Sequence, residues 1–138
     1  MEQTLAILKP DCIQKKLAGR VIALIEDGGF AILEMKMLTF TRQSAEGFYS
    51  VHRGKDFFNG LIDFMLSGPV IVMVLEREGA IAALREIMGK TDPGQAAPGT
   101  IRKMWAENTR RNIIHGSDGS GSAGFEIRYF FGDKAVSR

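Results

Sequence analysis

The residues best placed to do chemistry lie in one run, Asn112-Ile113-Ile114-His115-Gly116-Ser117-Asp118. A histidine closing a short β-branched stretch, followed at once by a Gly-Ser-Asp turn, predicts a buried strand opening into a helix N-terminus. Exposed amides and the positive end of the helix dipole favour an anion at such a point, and imidazole near neutral pH can be a nucleophile. The plainer alternative is a core-edge histidine with a satisfied hydrogen bond before a turn. Side chains suited to clamping phosphates stand at element ends and in a long loop: Lys9, His52, Arg85, Thr91, Arg102 and Asn112. Guanidinium groups take phosphate oxygens in two-pronged fashion and lysine supplies a point charge. Singly these are ordinary solvated surface groups; they make a site only if the fold converges them, which spacing alone cannot tell.

The elements that must position them are partly legible. Residues 4–9 are an aliphatic and β-branched run ended by Pro10, predicting a buried strand whose last residue, Lys9, emerges at the sheet edge. Leu17, Val21, Ile22, Leu24 and Ile25 follow helical spacing, with Gly28-Gly29 as the stop. Residues 30–40 alternate in part, Phe30, Ile32, Met35 and Met37 against Glu34 and Lys36, which predicts a half-exposed strand with its charged face toward solvent or a partner. Thr41 or Ser44 caps a helix through Tyr49, and residues 57–66 predict another, with Leu61, Ile62, Met65 and Leu66 on one side. After Gly68-Pro69, residues 70–75 are almost wholly aliphatic, as in a central strand covered on both faces. Residues 78–88 read as a helix striped by Ile81, Leu84, Ile87 and Met88. Residues 89–111, punctuated by Gly89, Pro93, Gly94, Pro98 and Gly99, predict a long irregular loop, a feature that in compact domains usually carries function. A strand at 112–115 and a glycine-rich helix bearing Phe125, Ile127, Tyr129 and Phe130 close the chain.

Strands alternating with helices in this order predict an α+β fold: a ferredoxin-like α/β sandwich, a four-stranded antiparallel sheet with helices on one face. A doubly wound parallel sheet is the alternative, but neither a GxGxxG fingerprint nor a P-loop is present, so bound phosphates must be held by side chains. The 138 residues, 45% apolar and 25% charged, suit a single domain over 1–138. A formal charge of +2 implies no field strong enough for nucleic acid or an anionic membrane. Phe30, Ile32 and Phe40 lack the interleaved basic residues of a single-strand stacking platform. Cys12 is the sole cysteine, so no intrachain disulfide can form. The run at 5–8 is too short for a signal-peptide core and the uncharged stretch 64–75 too short for a membrane span, which together predict a cytoplasmic protein.

The run 112–118, with Lys9-Pro10-Asp11 after the first strand, closely resembles the nucleoside diphosphate kinases. Phe57-Phe58 before Gly60-Leu61, Ser67-Gly68-Pro69, Gly89-x-Thr91-x-Pro93 and Pro98-Gly99-Thr100-Ile101-Arg102 carry the likeness further, over about residues 3 to 132. The resemblance implies a metal-dependent ping-pong transfer of the γ-phosphoryl group of a nucleoside triphosphate, usually ATP, to any nucleoside diphosphate through phosphorylation of His115 on Nδ1. It also implies that Glu126 accepts a hydrogen bond from the other ring nitrogen, with Ser117 supporting that carboxylate. Lys9 resembles the lysine that reaches the transferred phosphate and the ribose hydroxyl, Tyr49 the tyrosine beside the histidine, and Asn112 the residue that bonds the sugar 3′-hydroxyl. Arg85, Thr91 and Arg102 match the phosphate clamp, and His52 a position that contributes in some members. Phe57 resembles the ring on which the base stacks, with Leu61 also at the nucleotide and Phe58 inside the core. Mg²⁺ arrives on the nucleotide phosphates rather than on direct protein ligands. A catalytically silent nucleotide-binding regulatory subunit of the same fold is the alternative, against which the presence of Lys9, His115 and Glu126 counts.

Two departures stand out. Gly116, Gly119, Gly121 and Gly124 crowd the start of the last helix, where each interior glycine costs about 1 kcal/mol against alanine, so its first turns are expected to be mobile or displaced. Lys103-Met104-Trp105 follows Arg102 where many members carry Gly-Asp, and the chain ends shortly after Phe131. A homo-oligomer built from dimers follows as the expectation, a tetramer first and a hexamer as the alternative.

Overall fold

β1 (Glu2–Leu8) is buried on both sides from Thr4 onward, with Leu5 and Ile7 directed to one face of the sheet and Ala6 and Leu8 to the other. The protein, a computed structural model that describes residues 1–132, is built around this strand. After β1 come α1 (Pro10–Gln14), α2 (Ala18–Asp27), β2 (Ala31–Leu38), α3 (Arg42–Phe48), a 3-10 turn at Ser50–His52, α4 (Phe58–Met65), β3 (Val70–Arg77) and α5 (Ala80–Met88). A second 3-10 turn at Pro93–Gln95, α6 (Ile101–Trp105), β4 (Ile114–Gly116) and α7 (Ser120–Phe131) complete the described chain. The strands order β2-β3-β1-β4, every pairing antiparallel, as the alternation of elements predicts.

Helices cover both faces of the sheet, not one. Phe48, Ile62, Met65 and Ile127, from α3, α4 and α7, pack on Leu5, Ile7, Val72 and Val74. Val21, Ile25, Leu84, Met88 and Ile101, from α2, α5 and α6, pack on Ala6, Leu8, Met73 and Leu75. The reason lies in β1 and β3, which are apolar without alternation and therefore need cover on each side. Among the described residues no helix is long and apolar enough to cross a membrane.

Three local expectations are corrected. Residues 89–111 hold α6, which Thr100 caps by accepting the amide of Lys103 at 3.3 Å; so short a helix shows no period in the sequence, and neither does α1, opened by Pro10. β4 begins at Ile114 rather than 112, because Ile113 adopts a left-handed φ of 76° and closes a tight turn in which the Ile114 amide donates to the Asn112 carbonyl at 2.9 Å. On β2 a register shift between Ile32 and Glu34 interrupts the ladder. Lys36 beyond it is exposed and donates to the Phe130 carbonyl at the end of α7 at 2.6 Å, while Met35 and Met37 are 53% and 58% exposed on this edge strand.

The glycine-rich helix start is in place, not displaced. Ser122 Oγ accepts the Gly119 amide at 3.0 Å and donates to Asp118 Oδ1 at 2.6 Å, closing the N-terminus that the glycines leave poorly supported. Open space surrounds Gly121, so Gly121→Ala is expected to raise stability by about 1 kcal/mol in denaturant titration. In the parent protein, amides at 120–124 should exchange with deuterium faster than those of α5; equal protection would show that the glycines cost the helix nothing. The residues from 133 on, to which the expectations about the end of the chain extend, lie outside the described residues.

Candidate active site

The register Ile7↔His115 and Leu8↔Ile114 sets His115 beside the end of β1, where the chain passes into Lys9. Lys9 and Ile113 are tied by the Lys9 amide donating to the Ile113 carbonyl at 2.9 Å, and the Ile113 amide donates to buried Asp11 Oδ2 at 3.1 Å. These bonds hold a β-branched residue in the left-handed region, a conformation costing about 1–3 kcal/mol. Gly116 follows because nothing larger fits: a Cβ there would lie 2.6 Å from Met88 Sδ and 3.1 Å from Leu84 Cδ2.

His115 is gripped from one side only. Its Nε2 lies 2.9 Å from Glu126 Oε1, Ser117 Oγ donates to the same carboxylate oxygen at 2.8 Å, and the Leu5 amide donates to Ser117 Oγ at 3.2 Å. A carboxylate accepts, so Nε2 carries the proton and Nδ1 keeps its lone pair in the neutral ring. Phe48 packs edge-on against the imidazole with centroids 5.6 Å apart, and Tyr49 does so at 6.3 Å. Burial, and then the Glu126 charge, pushes the Tyr49 phenol far up, so it stays protonated; its buried Oη has no hydrogen-bond partner among the described residues.

A cleft of about 1510 Å³ opens on this ring. Lys9, Tyr49, His52, Phe57, Leu61, Arg85, Thr91, Arg102, Asn112, His115 and Glu126 all line it, so the fold does converge the groups picked out along the chain. Ser117 stands behind them, fully buried. Arg102, on α6, is fixed by donating through Nε to the Asn112 carbonyl at 3.3 Å, through one terminal nitrogen to Gly89 at 3.0 Å and through the other to Ile114 at 2.8 Å. Arg85, on α5, reaches the Gly116 carbonyl at 3.4 Å. Burial, then the neighbouring Arg85, lowers the Arg102 guanidinium to about 10, the mark of a cation held without a facing anion. Asp118 is held low by its Ser122 hydrogen bond and, after that, by Arg85. His52 is pushed down by burial and by Lys55, whose Nζ is 3.1 Å from its Nδ1. Phe57 is 44% exposed against the His52 ring and Phe58 buried, as expected of a platform and a core residue.

Lys9 corrects an expectation: rather than emerging at the sheet edge it is only 7% exposed, donating to Asn112 Oδ1 at 2.7 Å and to the Arg110 carbonyl at 3.1 Å. The segment 108–112 folds over it, a closure that no local pattern announces. Burial, then Arg102, lowers its ammonium to about 8. A lysine so depressed is charged below that pH and loses its proton above it, so attraction for phosphate fades as pH rises. kcat/KM, which reports the free enzyme, is therefore expected to fall with pH above about 8, and Lys9→Arg to remove that fall because guanidinium stays charged. An unchanged alkaline limb in the variant would assign the titration elsewhere.

A half-buried histidine, held from one side and facing a ring of cations, is built for a phosphoryl group, and comparison with known proteins agrees: the family model described as Nucleoside diphosphate kinase matches residues 2–136. The chain belongs to the nucleoside diphosphate kinase family. The nucleoside diphosphate kinase of Anaeromyxobacter sp. is 52% identical over 98% of this chain and 92% of its own, and that of Chlamydia abortus 54% identical over 95% and 93%. Among solved structures, the Aquifex aeolicus nucleoside diphosphate kinase superposes with a TM-score of 0.92 at 44% identity, covering 94% of each chain. The Halobacterium salinarum nucleoside diphosphate kinase in complex with CDP does so with a TM-score of 0.93 at 38% identity, covering 97% of this chain and 90% of its own. The chain is accordingly a phosphotransferase that moves phosphoryl groups between nucleotides, as the family does.

Several further residues line the cleft, among them Asn108, Thr109, Arg110 and Phe125. No motif or period marks them, since they reach the cleft only through the folding of the segment after α6 and the pitch of α7.

Proposed function

We propose that the reaction is a ping-pong transfer through phospho-His115. Nδ1 attacks the γ-phosphorus of a nucleoside triphosphate, typically ATP; the N–P bond forms as the bond to the bridging oxygen breaks, and the diphosphate leaves with that electron pair. An incoming nucleoside diphosphate reverses the step, its terminal β-oxygen attacking phosphorus while Nδ1 recovers its lone pair. The Nε2 proton stays in place throughout, and Glu126 stabilises the positive charge the ring gains on phosphorylation. The observation that carries this reading is the tie of Nε2 to Glu126, itself backed by Ser117, which leaves Nδ1 as the nucleophilic nitrogen.

Around it Lys9, Arg85 and Arg102 neutralise phosphate charge, Thr91 and Asn112 add hydrogen bonds to phosphate and sugar, and Phe57, with Leu61, receives the base on its face. Tyr49 and His52 wall the histidine on its outer side. Mg²⁺ would come with the nucleotide and would add to the charge neutralisation that Lys9, Arg85 and Arg102 provide.

The same reading places the protein in the cytoplasm as one domain, its single cysteine free and buried, and assembles it from dimers into a tetramer or, alternatively, a hexamer. The exposed edge of β2 with Met35 and Met37 is a surface that assembly would cover. Incubation with γ-labelled ATP and Mg²⁺, then a chase with GDP or CDP, tests the mechanism. Label stable to alkali, labile to acid and passed to the second nucleotide is expected; direct transfer with no labelled protein would refute the intermediate.

A further inference from the structure

Asp11 is fully buried and does not line the cleft. Its Oδ2 accepts the Ile113 amide at 3.1 Å, while the Lys9 amide donates to the Ile113 carbonyl at 2.9 Å, so the run Lys9-Pro10-Asp11 holds Ile113 by both of its backbone groups. That residue needs holding. With φ at 76° and the Ile114 amide bonded to the Asn112 carbonyl, it centres a γ-turn of the strained kind, where a β-branched side chain is at its least favourable. The turn sets three parts of the site. Asn112 before it takes Lys9 Nζ on Oδ1 at 2.7 Å and Arg102 Nε on its carbonyl at 3.3 Å, and Ile114 after it takes a terminal nitrogen of Arg102 at 2.8 Å.

We propose that Asp11 is a positioning residue for phosphoryl transfer: it fixes the Ile113 turn so that Lys9, Asn112 and Arg102 meet the nucleotide, and it faces Lys9 with a negative charge. The inference rests on the reading above, in which Lys9 and Asn112 meet phosphate and sugar. The turn by itself asks only for an acceptor, which asparagine would also supply. A carboxylate there is a burden on the fold, because its Oδ1 is buried without a partner among the described residues and a buried charge so incompletely satisfied adds little stability. The charge has its use at Lys9. Burial draws the proton off that ammonium, Arg102 on α6 and Arg110 on the segment 108–112 repel it, and among the described residues Asp11 on α1 is the charge that attracts it. A third guanidinium, Arg111, shares the Phe64 ring with Lys9, the two cations lying 5.2 and 5.7 Å from its centroid. In so positive a setting one carboxylate counts.

The test compares Asp11→Asn, which keeps the acceptor and removes the charge, with Asp11→Ala, which removes both, by thermal melting and by kcat/KM for transfer from ATP to GDP over about pH 6 to 10. At about pH 7 Asp11→Ala should lose roughly tenfold or more in kcat/KM, and Asp11→Asn should lie within about threefold of the parent. In Asp11→Asn the alkaline fall should begin about half a pH unit or more below that of the parent, since an ammonium that loses a neighbouring opposite charge gives up its proton sooner. An alkaline fall at the parent's pH in Asp11→Asn overturns the proposal, as does parent-like kcat/KM in Asp11→Ala. Lower melting in both variants with the profile unmoved would make Asp11 a residue of the fold alone. Should Asp11→Ala fail to fold, the profile of Asp11→Asn decides. An alkaline fall that survives Lys9→Arg sinks the reading of Lys9 first and this inference with it; one that Lys9→Arg removes and Asp11→Asn does not move sinks this inference alone.

Discussion

Replacing His115 with alanine is expected to lower kcat by at least about four orders of magnitude while nucleotide affinity changes by a few-fold at most. The asymmetry follows from the geometry. The cations that hold the phosphates, Lys9, Arg85 and Arg102, take their positions from bonds to Asn112, Gly116, Ile114 and Gly89, none of which involves the imidazole. The variant therefore retains its site but lacks the atom that accepts phosphorus. Loss of the ring also frees Glu126, yet that carboxylate keeps its bond from Ser117 at 2.8 Å, which limits structural damage. Isothermal titration with ADP, run beside the transfer assay, separates the two quantities. Residual transfer within about a hundredfold of the parent would mean that another group, or direct displacement between two nucleotides, carries the reaction.

Arg102→Ala should be the most damaging change outside the nucleophile, because it removes two functions at once. One is the clamp: a guanidinium lowered to about 10 by burial and then by the neighbouring Arg85 gains most when a phosphate arrives. The other is structural, since Arg102 bridges α5's C-terminal Gly89, the Asn112 turn and Ile114 of β4, and is itself buried. Leaving those carbonyls without donors is expected to cost about 2–4 kcal/mol, seen as a melting temperature lower by roughly 10 °C. Arg102→Lys preserves the charge but cannot span three acceptors, so it should recover part of the phosphate affinity and little of the stability. A lysine variant that melts with the parent would show that the carbonyls find other partners and that the side chain serves the nucleotide alone.

The short helices α1 and α6 escaped sequence reading because five residues give no period, although Pro10 and Thr100 mark their starts. Helices on both faces are what the unbroken apolarity of residues 70–75 calls for; the ferredoxin-like expectation of one covered face came from the order of elements, which does not say on which side each helix packs. Glu126 is a surface carboxylate by every local sign, and its pairing with His115 was implied only by likeness to a family. Arg110 has no local sign at all; its place is defined by the absence of a side chain at Gly60.

Strand and helix periods, the turn after His115 and the absence of a phosphate-cradling glycine loop were decided along the chain, because each reflects which neighbours share a face or a bend. The convergence of the site was decided only in three dimensions. Lys9 meets Asn112 across a separation of 103 residues, and that meeting depends on the register of β1 against β4. The lowered proton affinities of Lys9 and Arg102 come from burial and then from a neighbouring guanidinium, Arg102 beside Lys9 and Arg85 beside Arg102, conditions that exist only once the chain has closed around them.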